Sequence, residues 1–240
     1  MGLEFRDPMK KEHQKLLEEF LGRPISQDEA EAADARMIAR WFDSGETDLA
    51  IYGSEDYVLH FILTQGYSTN LLGSAIRFLK KHSILPRTVL DYSCGLGFTT
   101  RQLAQAFPDA HVVGSEWAES QLEICKFVTK DLPNVEFVTD EQLRKTQPHF
   151  DCVTVIEVFE HLKDPLRDLE DLVNLTSSNV LIDSCSFGIP APGHYSFFTS
   201  PYGQVNGNKM KRLFSTKLRE LGYLSRGKLW NNKPRVMFKE

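Results

Sequence analysis

The spacing of the hydrophobic positions changes near residue 86 of the chain. Before that point, apolar residues recur every three or four positions, as they do on one face of an amphipathic helix. We therefore expect an N-terminal helical cap over residues 1–82. Its last two predicted helices, 57–64 and 71–81, are joined by a turn at 65–68.

Short apolar runs alternate with helical segments in the second part of the chain. This alternation predicts parallel strands covered by helices, and therefore a doubly wound α/β domain over residues 83–240. The predicted parallel strands are runs of mainly apolar residues at 88–92, 111–115, 135–139, 150–156 and 179–183. Two later runs, 223–230 and 234–238, predict an antiparallel hairpin.

Composition places the chain among ordinary globular proteins, with 41% hydrophobic and 25% charged residues in a length of 240. No apolar run approaches the ~20 residues that a membrane-spanning helix needs. The four cysteines are scattered and form no C-x-x-C pair, which argues against a structural zinc site. Free cysteines are typical of a reducing compartment, so we expect a cytoplasmic protein.

Charge is unevenly distributed along the chain. The formal net charge is −5, whereas residues 201–240 hold 10 basic and 2 acidic groups, a net of +8. The acidic total argues against nucleic acid as a partner. The basic segment is compatible with a small-molecule acceptor that is itself anionic. Nothing in the pattern indicates an oligomeric state.

The segment Asp91-Tyr-Ser-Cys-Gly-Leu-Gly97 carries the strongest chemical signal. A strand delivers Asp91 to its carboxyl end, and Gly95 and Gly97 allow the backbone to approach a ligand closely. The next helix begins there with free amide groups. The second strand ends at Glu116, where an acidic side chain can accept hydrogen bonds from ribose hydroxyls. Thr100 stands where the dinucleotide fingerprint needs its third glycine, which argues against NAD and FAD.

This segment resembles the first motif of the class I S-adenosylmethionine-dependent methyltransferases, with Ser93 in place of the first glycine. The resemblance covers residues 86–184, and it implies a seven-stranded, mostly parallel sheet and S-adenosylmethionine as the cofactor. The ribose would lie at Glu116 and the adenine at Trp117 and Asp140. The cofactor-binding residues that the resemblance implies are Asp91, Ser93, Gly95, Gly97, Glu116, Trp117, Asp140 and Glu157.

The segment from Glu157 to Pro165 resembles the E-V-x-E-H-x-x-D-P stretch of a subgroup that includes ubiquinone-biosynthesis O-methyltransferases. In the methyltransferase family the end of the fourth strand, which corresponds to Glu157 here, lies beside the transferred methyl group. A related E-x-x-E-H stretch binds a divalent metal in small-RNA 3′-end 2′-O-methyltransferases. Here the corresponding ligands would be Glu157, Glu160 and His161, with His194 as a fourth. We expect no metal, because no spacing in the sequence fixes His194 near Glu157.

Three residues are candidates for catalysis or for orienting the acceptor. His161 and His194 have the side chain whose ordinary pKa suits a general base near pH 7. Tyr195 stands beside His194 in a loop that follows the fifth strand. We therefore predict an enzyme that transfers a methyl group from S-adenosylmethionine to oxygen or nitrogen of a small molecule.

Three alternative functions remain open at this point. The first is a metal-dependent RNA 2′-O-methyltransferase, which would use Glu157, Glu160, His161 and the basic segment. The second uses the same cofactor pocket for a reaction without methyl transfer, such as internal cyclisation of S-adenosylmethionine. The third is a regulatory protein that binds the cofactor without catalysis. Fold alone does not separate these functions, because function depends on the site.

Overall fold

A computed structural model describes residues 8–146, 149–176, 178–225 and 234–240 of the chain. The first part contains three α-helices, α1 (Lys11–Leu21), α2 (Gln27–Asp43) and α3 (Glu55–Lys81), and a short 3₁₀-helix (Leu49–Gly53). The hydroxyl of Ser26 accepts a hydrogen bond of 3.2 Å from the amide of Glu29, and this bond caps the start of α2.

The second part contains the main sheet. The strands in chain order are β1 (Thr88–Tyr92), β2 (His111–Glu116), β3 (Val135–Thr139), β4 (Cys152–Ile156), β5 (Val180–Ser184), β6 (Phe197–Phe198), β7 (Val205–Asn206), β8 (Tyr223–Ser225) and β9 (Arg235–Lys239). Seven of them form one sheet in the order β3-β2-β1-β4-β5-β9-β8, with β1 to β5 parallel. β9 is antiparallel to both of its neighbours, which confirms the predicted seven-stranded, mostly parallel sheet with an antiparallel end. Residues 226–233, part of the predicted hairpin, lie outside the described residues.

Five more helices connect the strands. They are α4 (Phe98–Ala106), α5 (Glu119–Val128), α6 (Asp140–Thr146), α7 (Pro165–Thr176) and α8 (Gly207–Glu220). The sequence interpretation missed α6 and the short β6–β7 pair. A capping box was the available signal for α6: Thr139 and Gln142 exchange two side-chain hydrogen bonds with each other's amides, at 2.8 and 3.1 Å.

Helices cover both faces of the main sheet. Leu90 and Leu181 belong to a buried cluster that includes residues of α7 and α8. Val89 and Ile182, their neighbours on the same strands, belong to a second cluster with α3 and α4. Successive side chains of a strand point to opposite faces, so both faces of the sheet are buried, as in a doubly wound fold.

α3 is one continuous helix across residues 65–68, where the sequence suggested a turn. Gly66 costs a helix interior only about 1 kcal/mol relative to alanine. Both halves of the helix are buried: Leu59 packs in a cluster with α1, and Leu72 and Leu79 pack in the cluster on the sheet. Tertiary burial outweighs the turn-forming residues, so the prediction of two separate helices was wrong.

The N-terminal helices lie close to the loop that follows β1. One apolar cluster joins α1 and the first half of α3 to Leu96 and Phe98, at the start of α4, and to Ile124 on α5. α3 therefore contributes both to this cluster and to the core of the sheet. The division of the chain at residue 82 stays a prediction. No helix in the described ranges is long and apolar enough to cross a membrane.

Candidate active site

Acidic residues stand at the carboxyl ends of three neighbouring parallel strands. Asp91 lies near the end of β1, Glu116 ends β2, and Glu157 follows β4. β1 pairs with β2 on one side and with β4 on the other, so these ends meet at one edge of the sheet. Ligands of open α/β sheets bind in the crevice at this edge.

Asp91 is buried and forms hydrogen bonds with three neighbouring side chains at this edge. Its carboxylate accepts hydrogen bonds from the hydroxyls of Thr99, Thr100 and Thr154, at 2.7 to 2.8 Å. Burial raises its pKa, and these hydrogen bonds oppose that rise. The residue links the end of β1 to α4 and to β4. Direct contact of Asp91 with a cofactor stays a prediction.

The loop after β1 turns through left-handed backbone conformations at Ser93, Gly95 and Gly97, with φ of 52°, 58° and 81°. A Cβ on Gly97 would lie 3.1 Å from the Cα of Cys125, so this glycine allows α5 to approach closely. A Cβ on Gly95 would lie 3.0 Å from Phe61 of α3. Of the two glycines, Gly95 is the one that lines the cavity between α3 and the loop after β1.

Two adjacent cavities lie at this edge of the sheet. The first, here called the α3 cavity, has a volume of about 150 Å³ and lies between α3, the loop after β1 and residues 191–194. The second, the β2 cavity, has a volume of about 410 Å³ and lies beside the end of β2. Ser93, Glu157 and His161 line both, so the two cavities meet at these residues.

The β2 cavity contains the residues that the family resemblance assigns to the nucleoside. One carboxylate oxygen of Glu116 accepts from the amide of Gly95 at 2.9 Å, and the other accepts from Trp117 at 2.9 Å. Burial raises the pKa of Glu116 to about 7. Trp117 is 50% exposed. Oδ1 of Asp140 is buried and has no hydrogen-bond partner in the part of the chain that the structure describes.

These features fit a nucleoside with hydroxyl and amino donors. A buried acceptor such as Oδ1 of Asp140 costs free energy until it receives a hydrogen bond, and an adenine amino group supplies one. The exposed ring of Trp117 offers a surface for a flat base. The assignment of Glu116, Trp117 and Asp140 to the cofactor stays a prediction that this geometry supports.

His161 and His194 come together at the point where β4 and the loop after β5 meet. Their ring centroids are 4.6 Å apart. Burial lowers the pKa of His194 to about 4, and burial followed by the neighbouring His194 lowers that of His161 well below its usual range. Both rings are therefore neutral at pH 7 and can act as hydrogen-bond acceptors.

The hydrogen bonds of the two histidines indicate which nitrogen carries the proton. Nδ1 of His194 lies 2.8 Å from the carbonyl oxygen of Ile189, and a carbonyl can only accept. Nδ1 of His161 lies 2.8 Å from the hydroxyl of Tyr52, which itself donates to the carbonyl of Gly193 at 3.2 Å. Nδ1 is the donor in each ring, so each Nε2 keeps its lone pair.

Two glutamates complete this region. Glu157 has a left-handed backbone, with φ of 55°, and its carboxylate accepts hydrogen bonds from the hydroxyls of Ser184 and Ser186. Glu160 is fully buried: its Oε1 accepts from the amide of Ser186 at 3.1 Å, and its Oε2 has no partner among the described residues. Burial and the nearby Glu157 raise the pKa of Glu160 well above its usual range.

The structure brings Glu160, His161 and His194 together as a group that could hold a cation. One ligand atom from each lies within 4.8 Å of the other two. The sequence argument against a metal was that no spacing fixes His194 near Glu157, and Glu157 is not one of these three residues. The folded loop does bring His194 to Glu160 and His161, so the expectation of no metal stays a prediction.

Tyr195 lies apart from the α3 cavity. It lines the β2 cavity, its ring packs edge-on against Trp41, and Nζ of Lys163 lies 4.5 Å from its centroid. Burial raises the pKa of its hydroxyl. A role of Tyr195 in orienting the acceptor stays a prediction. Its side chain lies in the same cavity as Glu116, Trp117 and Asp140.

Sequence reasoning missed two residues that position the histidines. Tyr52 contacts His161, and the indole of Trp41 donates a hydrogen bond of 2.9 Å to the carbonyl oxygen of His194. Both come from the N-terminal part of the chain, more than a hundred residues away in sequence. Local patterns do not encode such contacts, so no signal in the sequence identified these two roles.

We expect Tyr52→Phe to lower the free energy of unfolding by about 1 kcal/mol, because His161 loses the hydrogen-bond partner of its buried Nδ1. Urea unfolding followed by circular dichroism measures the change. Tyr202→Phe is the matched control, since that side chain is 73% exposed. Equal stabilities for the two variants would contradict a positioning role for the Tyr52 hydroxyl.

Known proteins share this sequence and fold in part. Residues 90–182 match the family described as a methyltransferase domain. Malonyl-(acyl-carrier protein) O-methyltransferase of Halalkalibacterium halodurans is 28% identical over 108 residues, which cover 43% of this chain and 40% of that protein. Ubiquinone biosynthesis O-methyltransferase of Hydrogenovibrio crunogenus is 34% identical over 95 residues, which cover 38% of this chain and 39% of that protein. The chain thus spans about two fifths of the length of these relatives.

A solved structure supports the architecture over a longer range. An O-methyltransferase family protein from Burkholderia thailandensis superimposes with a TM-score of 0.61 at 12% identity, over 88% of this chain and 70% of that one. At this identity the similarity shows the fold. The strand order and this superposition agree with the match of residues 90–182 to a methyltransferase domain.

Proposed function

We propose that the protein transfers a methyl group from S-adenosylmethionine to an oxygen or nitrogen atom of a small molecule. The observation that carries the proposal is the meeting of the two cavities. The β2 cavity offers Glu116, Trp117 and Asp140 to a nucleoside, and the α3 cavity next to it contains neutral histidines. A donor and an acceptor placed in these cavities would approach each other at Ser93 and Glu157.

The residues of the β2 cavity would hold the cofactor in a fixed orientation. Glu116 would accept hydrogen bonds from the ribose hydroxyls, and Asp140 would accept from the adenine amino group. Gly95 and Ser93 would leave room for the methionine part beside the loop after β1. When bound, S-adenosylmethionine supplies an electrophilic methyl group on a positively charged sulfur. Much of the rate enhancement would come from alignment of donor and acceptor at short distance.

A small acceptor fits the enclosure of the α3 cavity, whose volume is about 150 Å³. Both curated relatives are named O-methyltransferases, which favours oxygen as the acceptor atom. The basic C-terminal part of the sequence is compatible with an anionic acceptor. All four cysteines are unpaired, and we propose a reducing, cytoplasmic setting on that ground.

The test is incubation of the protein with methyl-deuterated S-adenosylmethionine and a metabolite extract, followed by mass spectrometry. The proposal predicts S-adenosylhomocysteine together with a small molecule that carries the deuterated methyl group. Release of methylthioadenosine instead would indicate cyclisation of the cofactor. Binding of the cofactor with no product in any extract would indicate a regulatory protein.

A second candidate is methyl transfer that depends on a divalent cation, as in the RNA-type alternative. The observation that favours it is the group formed by Glu160, His161 and His194. The buried Oε2 of Glu160 has no partner in the described ranges, and each histidine keeps a lone pair on Nε2. Carboxylate and imidazole ligands of this kind suit Mg²⁺, Mn²⁺ or Zn²⁺.

Chelation tests the second candidate. If a cation occupies this group, exhaustive dialysis against a chelator lowers methyl transfer, and one of Mg²⁺, Mn²⁺ or Zn²⁺ restores it. Titration of Mn²⁺ alone should show one site that His194→Gln removes. His82→Gln, at the exposed end of α3, is the control and should leave the site intact. Unchanged turnover after chelation would contradict this candidate, and Glu160 would then be a protonated, hydrogen-bonded structural residue.

A further inference from the structure

A third histidine lines the α3 cavity. His60 lies on α3, on the same cavity wall as Tyr57 and Thr64. These positions are three and four residues apart, so they form one stripe along the helix. The stripe faces the cavity that also contains Glu157 and His161.

His60 is paired with a carboxylate. Its Nδ1 lies 2.8 Å from Oδ1 of Asp34 on α2, and the two side chains are only 15% and 14% exposed. A carboxylate without a proton can only accept, so Nδ1 carries the hydrogen, and in the neutral ring Nε2 has the lone pair. In the described part of the chain, the His60 ring forms no other hydrogen bond.

This pairing distinguishes His60 from the other two histidines. Nδ1 of His161 contacts a tyrosine hydroxyl, and Nδ1 of His194 contacts a backbone carbonyl. Neither of those partners carries a negative charge. A histidine that takes up a proton becomes a cation, and a hydrogen-bonded carboxylate both stabilises that cation and fixes the ring. His60 alone among the three has such a partner in Asp34.

We propose that His60 is the general base of the reaction and that Asp34 is the residue that positions it. The inference rests on the proposed methyl transfer. In the step, the acceptor oxygen uses a lone pair to bond the methyl carbon while the carbon–sulfur bond breaks, and that electron pair stays on sulfur. The acceptor O–H proton moves to Nε2 of His60, the imidazolium is held by Asp34, and the proton later leaves to water.

The hydrogen bond between His60 and Asp34 can be detected without measuring turnover. Nitrogen-15 NMR of histidine-labelled protein should show the ring of His60 as the Nδ1–H tautomer, with its proton shifted downfield by the carboxylate. Asp34→Asn should remove that shift. Asp43→Asn, an exposed aspartate at the end of the same helix, should leave it unchanged. A His60 ring in the opposite tautomer would overturn the proposal.

Turnover tests the chemical role. With S-adenosylmethionine and the metabolite extract that yields product, we expect His60→Gln to slow formation of S-adenosylhomocysteine by roughly 100-fold or more, the usual contribution of a general base. We expect a smaller loss for Asp34→Asn and none for His82→Gln. The dissociation constant of S-adenosylhomocysteine should stay within about twofold of wild type in all three, because the β2 cavity is untouched. Added imidazole should restore part of the rate of His60→Ala.

The outcomes separate this inference from the function on which it rests. A wild-type protein that forms no methylated product in any extract overturns the proposed function. The assignment of His60 as the general base is then overturned as well. An active wild type with His60→Gln at full rate overturns the base alone. A slowed variant that has also lost cofactor affinity, or that imidazole does not rescue, indicates that His60 and Asp34 only join α2 to α3.

Discussion

Gly193→Ala is expected to be among the most damaging single substitutions in the chain. Gly193 has φ of 81°, and an added Cβ would lie 2.2 Å from the hydroxyl of Tyr52 and 2.8 Å from Nδ1 of His161. Left-handed backbone costs a residue with a side chain about 1 kcal/mol. Overpacking of a buried contact adds roughly 1–3 kcal/mol. We therefore expect urea unfolding to show a loss of about 2–4 kcal/mol, together with a large fall in methyl transfer as His161 is displaced.

Gly203→Ala is the matched control for this prediction. Its φ of 85° carries the same backbone strain, and no atom lies within 4 Å of the added Cβ. The difference between the two variants isolates the contact with Tyr52 and His161. Adding Tyr52→Phe to Gly193→Ala should recover part of the stability, because it removes the closest atom. Equal stability of Gly193→Ala and Gly203→Ala would contradict the packing described for this loop.

Loss of the Glu116 carboxylate is expected to weaken cofactor binding by roughly 1.5–3 kcal/mol, which corresponds to about 10- to 150-fold in the dissociation constant. Charge-assisted hydrogen bonds to two ribose hydroxyls have this magnitude. Calorimetric titration of S-adenosylhomocysteine into Glu116→Ala measures the effect. Glu119→Ala, an exposed glutamate at the start of α5, is the control and should bind as wild type does.

The same carboxylate makes binding depend on pH. Burial raises the pKa of Glu116 to about 7 in the free protein, and the ionised form is the better acceptor for ribose hydroxyls. Binding of the cofactor favours that ionised form, so the affinity should decrease as pH falls through about 7 and level off above it. Glu116→Ala should lose this dependence. Equal affinity of mutant and wild type, or a preference for NAD, would contradict the assignment.

The sequence was most informative about the sheet. The apolar runs that became β1, β2, β4 and β5 are buried almost throughout, and continuous burial gives a strong local signal, whereas the edge strand β3 is only partly buried. The strand ends were predictable for the same reason, because parallel strands bring Asp91, Glu116 and Glu157 to one edge. Short elements such as α6 and the β6–β7 pair give weak local signals and were missed, although Phe198 and Val205 are buried.

The remaining features depend on contacts between distant parts of the chain. α3 is continuous because its two halves pack against two different apolar clusters. The residues of those clusters are distant in sequence, so a short stretch of sequence does not reveal them. The approach of His194 to His161 depends on the path of a glycine- and proline-rich loop. Tyr52 and the pair formed by Asp34 and His60 reach the site only because α2 and α3 pack beside the loop after β1. Helical spacing of His60 with Tyr57 was visible in the sequence, but nothing indicated which way that stripe faces.

A crystal structure of the protein with S-adenosylhomocysteine tests the central claim most directly. The account predicts the ribose hydroxyls within hydrogen-bond distance of Glu116, the adenine against Trp117 with its amino group at Asp140, and the sulfur directed toward the α3 cavity. Binding of the ligand elsewhere on the chain, or with its sulfur directed away from the cavity that His60 and His161 line, would contradict it.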